Sequence, residues 1–164
     1  MHVHRIYMQM HLVQVRLSSP RMDDDELAVW RAFLNAHAHV TRRIGRDLAE
    51  AGLPDLGWYD LLWTLYRAPG RSLRVNELAR EVVLSPTAMS RFVDRAEAAG
   101  VVRREADPAD RRALQVALTD AGVELLREMW PVYERGIEEH FIANLGASGD
   151  RLRRVLERVA DSAR

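Results

Sequence analysis

From Asp23 onward, apolar residues recur at helical spacing. Asp23, Asp24, Asp25 and Glu26 place negative charge where a helix N-terminus favours it. Trp30, Phe33, Leu34, His37, Thr41, Ile44 and Leu48 then follow at three- and four-residue steps, one face of a long helix that Gly52 and Pro54 end. A second helix, about Trp58 to Arg67, is apolar nearly all round, which predicts a central position. Ala68-Pro69-Gly70 stops it. Val75 to Glu81 reads as a two-turn helix. After a break at Leu84-Ser85-Pro86, with Ser85 a good N-cap and Pro86 at the first helical position, Met89, Phe92, Val93 and Ala96 form the buried stripe of the next helix. Gly100 closes that helix. Val101 to Glu105 and Leu114 to Leu118 read as two short strands joined by the polar turn Asp107-Pro108-Ala109-Asp110-Arg111-Arg112, a β-hairpin. Thr119 caps another long helix with a stripe of Leu126, Trp130, Tyr133, Ile137, His140 and Phe141, and Pro131 within it predicts a kink. Gly146 to Gly149 breaks the pattern before a last helix, about Asp150 to Asp161. No internal repeat is present.

Residues 1–21 differ from the rest. They are rich in Met and His, free of acidic side chains, and carry Ser18-Ser19-Pro20 near their end. The segment lacks the apolar run and cleavage site of a signal peptide, so it is expected to be a disordered or misannotated leader without function. No apolar stretch reaches the length of a membrane span, and a cytoplasmic location is expected.

The chain has 164 residues, 48% of them hydrophobic, with 24 basic and 24 acidic side chains. That is enough apolar material for a core and too little net charge for disorder. Cysteine is absent, which removes disulfides, Cys-ligated zinc, iron–sulfur clusters and thiol redox sensing. Every basic residue is Arg. Residues 71–118 carry nine Arg against seven acids, and residues 119–164 the reverse balance of seven against nine, so position matters more than totals. There is no Gly-rich phosphate loop, HExxH or legible Ser–His–Asp arrangement, and no catalytic residue, metal or cofactor is expected. His37 and His39 are spaced i, i+2 and diverge on a helix, unlike i, i+4 zinc ligands.

Two short helices joined by a tight turn and followed by an Arg-tipped hairpin form a winged helix-turn-helix. The fold class expected is mainly α with a small β-hairpin wing. Burying Met89, Phe92, Val93 and Ala96 leaves Pro86, Thr87, Ser90, Arg91 and Arg95 on the opposite face. The helix N-terminus at Ser85 can aim amide N–H groups at phosphate, and small hydroxyls allow close approach to a major groove. Ser90 and Arg91 are placed to reach base edges. Arg95 can contact phosphate or pair with Asp94 or Glu97. Arg111 and Arg112 suit a narrow minor groove, where negative potential concentrates.

Leu78-Ala79, the run from Ser85 to Arg95, Gly100-Val101-Val102-Arg103-Arg104, and Asp107 to Arg112 followed by Leu118-Thr119 together resemble the multiple antibiotic resistance regulator (MarR) family, over about residues 27 to 161. The resemblance implies an obligate homodimer whose first and last helices intertwine, bound to a pseudo-palindromic double-stranded operator. It further implies release by a small, often aromatic anionic effector held between the dimerisation helices and the DNA-binding lobe. On that reading residues 23–55 and 119–162 form the dimerisation region, and residues 56–118 the winged helix-turn-helix lobe. Asp94 and Arg112 match the acid–Arg contact that holds the wing. His37 and His140, polar intruders on apolar stripes, and Trp58, Tyr59 and Trp63 become candidates for the effector pocket, although each also reads as a core residue. The competing function is a winged-helix module that binds protein without DNA; the Arg-bearing wing and hydroxyl-lined helix argue against it.

Overall fold

The computed structural model describes residues 23–82, 84–107 and 113–163. In chain order the elements are α1 (Asp24–Glu50), α2 (Leu56–Arg67), β1 (Ser72–Arg74), α3 (Val75–Glu81), α4 (Pro86–Ala98), β2 (Val102–Ala106), β3 (Leu114–Leu118), α5 (Asp120–His140) and α6 (Gly149–Ser162). Among the described residues, no helix is long and apolar enough to cross a membrane. The chain falls into two compact units, one ending at Ala36 and the other starting at His37, so α1 contributes to both.

In the first unit, the acidic start of α1 forms a reciprocal cap. The Asp23 N–H donates to Glu26 Oε2 at 3.0 Å, and the Glu26 N–H donates to Asp23 Oδ1 at 2.7 Å. Trp30 stacks on Phe33 with ring centroids 5.8 Å apart. Both stay open to solvent, at 53% and 45% exposure, so the apolar stripe of α1 divides into an exposed N-terminal part and a buried part at Ile44 and Leu48.

The second unit is built around α2, which buries Tyr59, Leu61, Leu62 and Leu65. Burying each Leu fully contributes about 1.5–3 kcal/mol. Leu78 of α3, the Met89–Ala96 stripe of α4, Val102 and Val116 of the sheet, and Val123, Leu126 and Met129 of α5 complete this core. The sheet is antiparallel in the order β1-β3-β2. Pairing Leu73 with Val116 makes β1 a third strand beyond the hairpin that alternation predicts. Three residues are too few to carry a period-two signal, and β3 supplies the partner.

The junction of β3 and α5 is tight. Thr119 Oγ1 donates to the Gly100 carbonyl at 2.7 Å and accepts the Gly122 N–H at 3.1 Å, while the Thr119 N–H donates to the Val101 carbonyl at 3.2 Å. A Cβ on Gly122 would sit 2.2 Å from the Val101 carbonyl oxygen, so the close approach requires glycine. Helix α5 continues through Pro131 to His140. Helix α6 buries none of its residues.

Candidate nucleic-acid interface

Helix α4 starts as its sequence dictates. Ser85 has an extended backbone and its hydroxyl accepts the Ala88 N–H at 3.2 Å, with Pro86 next. Met89, Phe92, Val93 and Ala96 face the core. Pro86, Thr87, Arg91, Asp94 and Arg95 are exposed on the other side, and Ser90 is half-buried at the border between the two. The Arg95 guanidinium lies 5.0 Å from the Phe92 ring centroid and pairs with neither Asp94 nor Glu97.

Those two acids bind Arg104 of β2. Arg104 Nη2 lies 2.6 Å from Asp94 Oδ1, Nη1 pairs with Glu97 Oε2, and the Arg104 backbone N–H donates to Glu97 Oε1 at 2.7 Å. The backbone N–H, then the guanidinium, holds the Glu97 carboxyl below its usual value. Burial works to lower the Arg104 pKa, but the hydrogen bonds its guanidinium donates to both carboxylates outweigh it and leave the group above its ordinary value. The fork clamps the exposed C-terminal half of α4 to the sheet that carries the wing.

A second clamp lies at the wing base. Arg74 Nε and Nη2 reach Asp107 Oδ2 at 2.7 and 2.6 Å, and the Asp107 N–H donates to the Ala113 carbonyl at 3.0 Å. Because Arg74 also precedes the first residue of α3, this pair ties the wing to the start of the helix-turn-helix. Arg111 and Arg112 lie outside the described residues, and with them the Asp94–Arg112 brace. In the sequence Arg104 stands out only as part of the Gly100–Arg104 run, with no partner assigned, and Arg74 does not stand out at all. The pairing register that gives them partners, 10 and 33 residues away, is not a local pattern.

Between α2 and α5 runs an open groove of about 640 Å³. A ladder of stacked rings lines it: Trp130 on Tyr59 at 6.2 Å, Tyr59 on Trp63 at 6.2 Å, and Trp63 on Tyr66 at 5.9 Å between centroids. Tyr133 leans on Tyr59 at 4.4 Å. Burial, with Tyr133 and Asp60 nearby, pushes the Tyr59 phenol up to about 12, so it stays protonated at neutral pH. Of the five residues expected around an effector, Tyr59 and Trp63 line this groove. Trp58 packs edge-on against Phe92 of α4 at 5.7 Å instead. His140 Nε2 lies 3.0 Å from Asp47 Oδ2, joining α5 to α1, and His37 is exposed on α1.

The sequence model of the MarR family matches residues 51–113, from the end of α1 into the wing. AbsC, a MarR family transcriptional regulator from Streptomyces coelicolor, is 30% identical and superposes with a TM-score of 0.77, over 87% of this chain and 96% of that one. The chain belongs to the MarR family. Sco3205, another MarR family regulator from Streptomyces coelicolor and one solved in complex with DNA, is 29% identical over 87% of this chain and 94% of its own, with a TM-score of 0.78. The transcriptional repressor MprA of Escherichia coli is 24% identical over 134 residues, 82% of this chain and 76% of its own. This MarR family chain is a transcriptional regulator, and its winged helix-turn-helix comprises α3, α4 and the β1-β3-β2 sheet.

Proposed function

We propose that this MarR family chain acts in the cytoplasm as a homodimeric repressor of a pseudo-palindromic operator and is released by a small-molecule effector. The observation that carries the reading is the Arg104 fork. It fixes α4 to the sheet through Asp94 and Glu97, while Pro86, Thr87, Arg91 and Arg95 remain exposed and Ser90 stands at the edge of that face. Rigid placement of such a face is what base readout needs, because a bidentate Arg contact tolerates little misalignment. Arg91 and Ser90 read base edges, Ser85, Pro86, Thr87 and Arg95 approach the phosphate backbone, and Arg111 and Arg112 enter the minor groove. Asp94 and Arg112 form the acid–Arg contact that braces the wing.

Dimerisation is supported by apolar side chains left open in both terminal helices. Val29, Trp30 and Phe33 are exposed on α1, and Val155 and Val159 on α6, whose Leu152 and Leu156 are only half-buried. Residues 23–55 and 119–162 would then bury these side chains between copies and set two recognition helices about 34–36 Å apart, one turn of DNA. The effector site we assign to the aromatic groove. Helix α2 lines it with Tyr59 and Trp63 and touches Phe92 of α4 through Trp58, so a ligand that shifts α2 changes the seating of the recognition helix. A preference of ~1–3 kcal/mol for the shifted state changes operator affinity 5–150-fold. Sedimentation of the purified protein with a palindromic operator fragment tests the reading: one dimer per site supports it, and one monomer per site overturns it.

A further inference from the structure

The groove between α2 and α5 is chemically lopsided. Its aromatic ladder meets the chain's own cations at one end: the Arg67 guanidinium lies 5.9 Å from the Trp63 ring centroid, and that of Arg71 lies 5.0 Å from Tyr66. At the other end, beside Tyr59 and Tyr133, stands Asp60. Among the described residues no cation pairs with Asp60 and no donor hydrogen-bonds its carboxylate, which is open to solvent. The lining Arg127 pairs with Glu124 of its own helix, at 2.5 Å. Partial desolvation, and then the like charge of Asp55, raises the Asp60 pKa, the reverse of what a nearby cation would do.

An unmatched carboxylate beside π faces attracts positive charge twice, by ion pairing and through the ring quadrupoles. We infer that the groove binds a flat aromatic cation, its charge at Asp60 and its rings against Trp63 and Trp130. The inference rests on the assignment of this groove as the effector site and gives that effector a positive charge, opposite to the aromatic anion that the family resemblance implies. The hydroxyl of Tyr59, held protonated, suits a ligand that also carries an acceptor. With about 640 Å³ available, a two- or three-ring cation fits.

Calorimetric titration of the full-length protein with N-methylquinolinium and with 1-naphthoate, flat bicyclic ions of similar size and opposite charge, tests it. The cation is expected to bind at least about tenfold more tightly than the anion. Asp60→Asn, which keeps the shape and removes the charge, is expected to weaken the cation about tenfold without weakening naphthoate, while Asp60→Glu keeps the preference for the cation. Equal or tighter naphthoate binding, a cation affinity indifferent to Asp60→Asn, or no heat from either ion overturns the inference. Operator titration of the same preparation, with and without each ion, separates the two levels. Cation binding that leaves operator affinity unchanged overturns the effector assignment and leaves a cation site, whereas operator release by naphthoate alone keeps the effector assignment and overturns its charge.

Discussion

Gly122→Ala concentrates the packing argument in one methyl group. The new Cβ would sit 2.2 Å from the Val101 carbonyl oxygen and 2.7 Å from Leu118 Cδ1, where ordinary contact begins at 3.4 Å. The leucine can rotate, but the carbonyl belongs to the backbone leading into β2 and already accepts the Thr119 N–H. Helix α5 must therefore back away by about 1.2 Å, the gap between contact and clash. That movement sacrifices the Thr119 hydrogen bonds to Val101 and Gly100, each contributing about 1 kcal/mol, and adds an overpacking cost of about 1–3 kcal/mol. The better helix propensity of Ala returns at most about 1 kcal/mol. The expected net loss is about 2–4 kcal/mol, a fall of about 1 M or more in the urea midpoint, read by far-ultraviolet circular dichroism at fixed protein concentration. Gly45→Ala is the companion, since nothing lies within 4 Å of a Cβ there and a gain of up to about 1 kcal/mol is expected. A Gly122→Ala midpoint at or above that of the unsubstituted protein would refute the reasoning.

Two further outcomes concern the contacts that hold α4, and two the side chains proposed to meet DNA. Ser85→Ala removes the hydroxyl that accepts the Ala88 N–H, and should lower stability by about 1 kcal/mol in the same urea assay. Arg91→Ala should weaken binding to the operator more than to unrelated DNA, by about 1–3 kcal/mol for a lost base contact; equal weakening of both would make Arg91 a phosphate clamp. Arg112→Ala should weaken operator binding while the protein sediments as before, and unchanged affinity would remove Arg112 from the interface. Glu97 has a folded pKa below its ordinary value of 4.5, so its contribution to stability is present above that value and is lost as pH falls through the lowered one. Glu97→Gln should accordingly be less stable than the unsubstituted protein at neutral pH and converge with it on acidification, as thermal melts across that range would report.

Local patterns carried most of the helical fold. The Ser85 cap, the Pro86 start and the Met89, Phe92, Val93 and Ala96 stripe of α4 are all short-range signals, and each has its expected place in the structure. Strand β1 escaped because its identity depends on β3, more than 40 residues later in the chain. The site was less legible for the same reason. Exposure along α4 follows from its period, but the partner of Asp94 and Glu97 is set by how β2 returns beneath the helix, and nothing local in the Gly100–Arg104 run marks Arg104 as that partner. His140 shows the limit of reading single polar residues on apolar stripes: its partner is Asp47, 93 residues away. Trp30 and Phe33 continue the stripe of Ile44 and Leu48 yet stay exposed, because helical periodicity identifies an apolar face and not the surface that covers it.

The most direct test of the regulatory account is titration of the purified, ligand-stripped protein against the DNA flanking its own gene, at two salt concentrations with competitor DNA present. The account predicts a saturable complex that outlasts competitor and whose affinity falls steeply with salt, as release of phosphate counterions requires. Binding no tighter than to competitor, at that site and across genomic fragments, would contradict it and favour a winged helix that recognises protein.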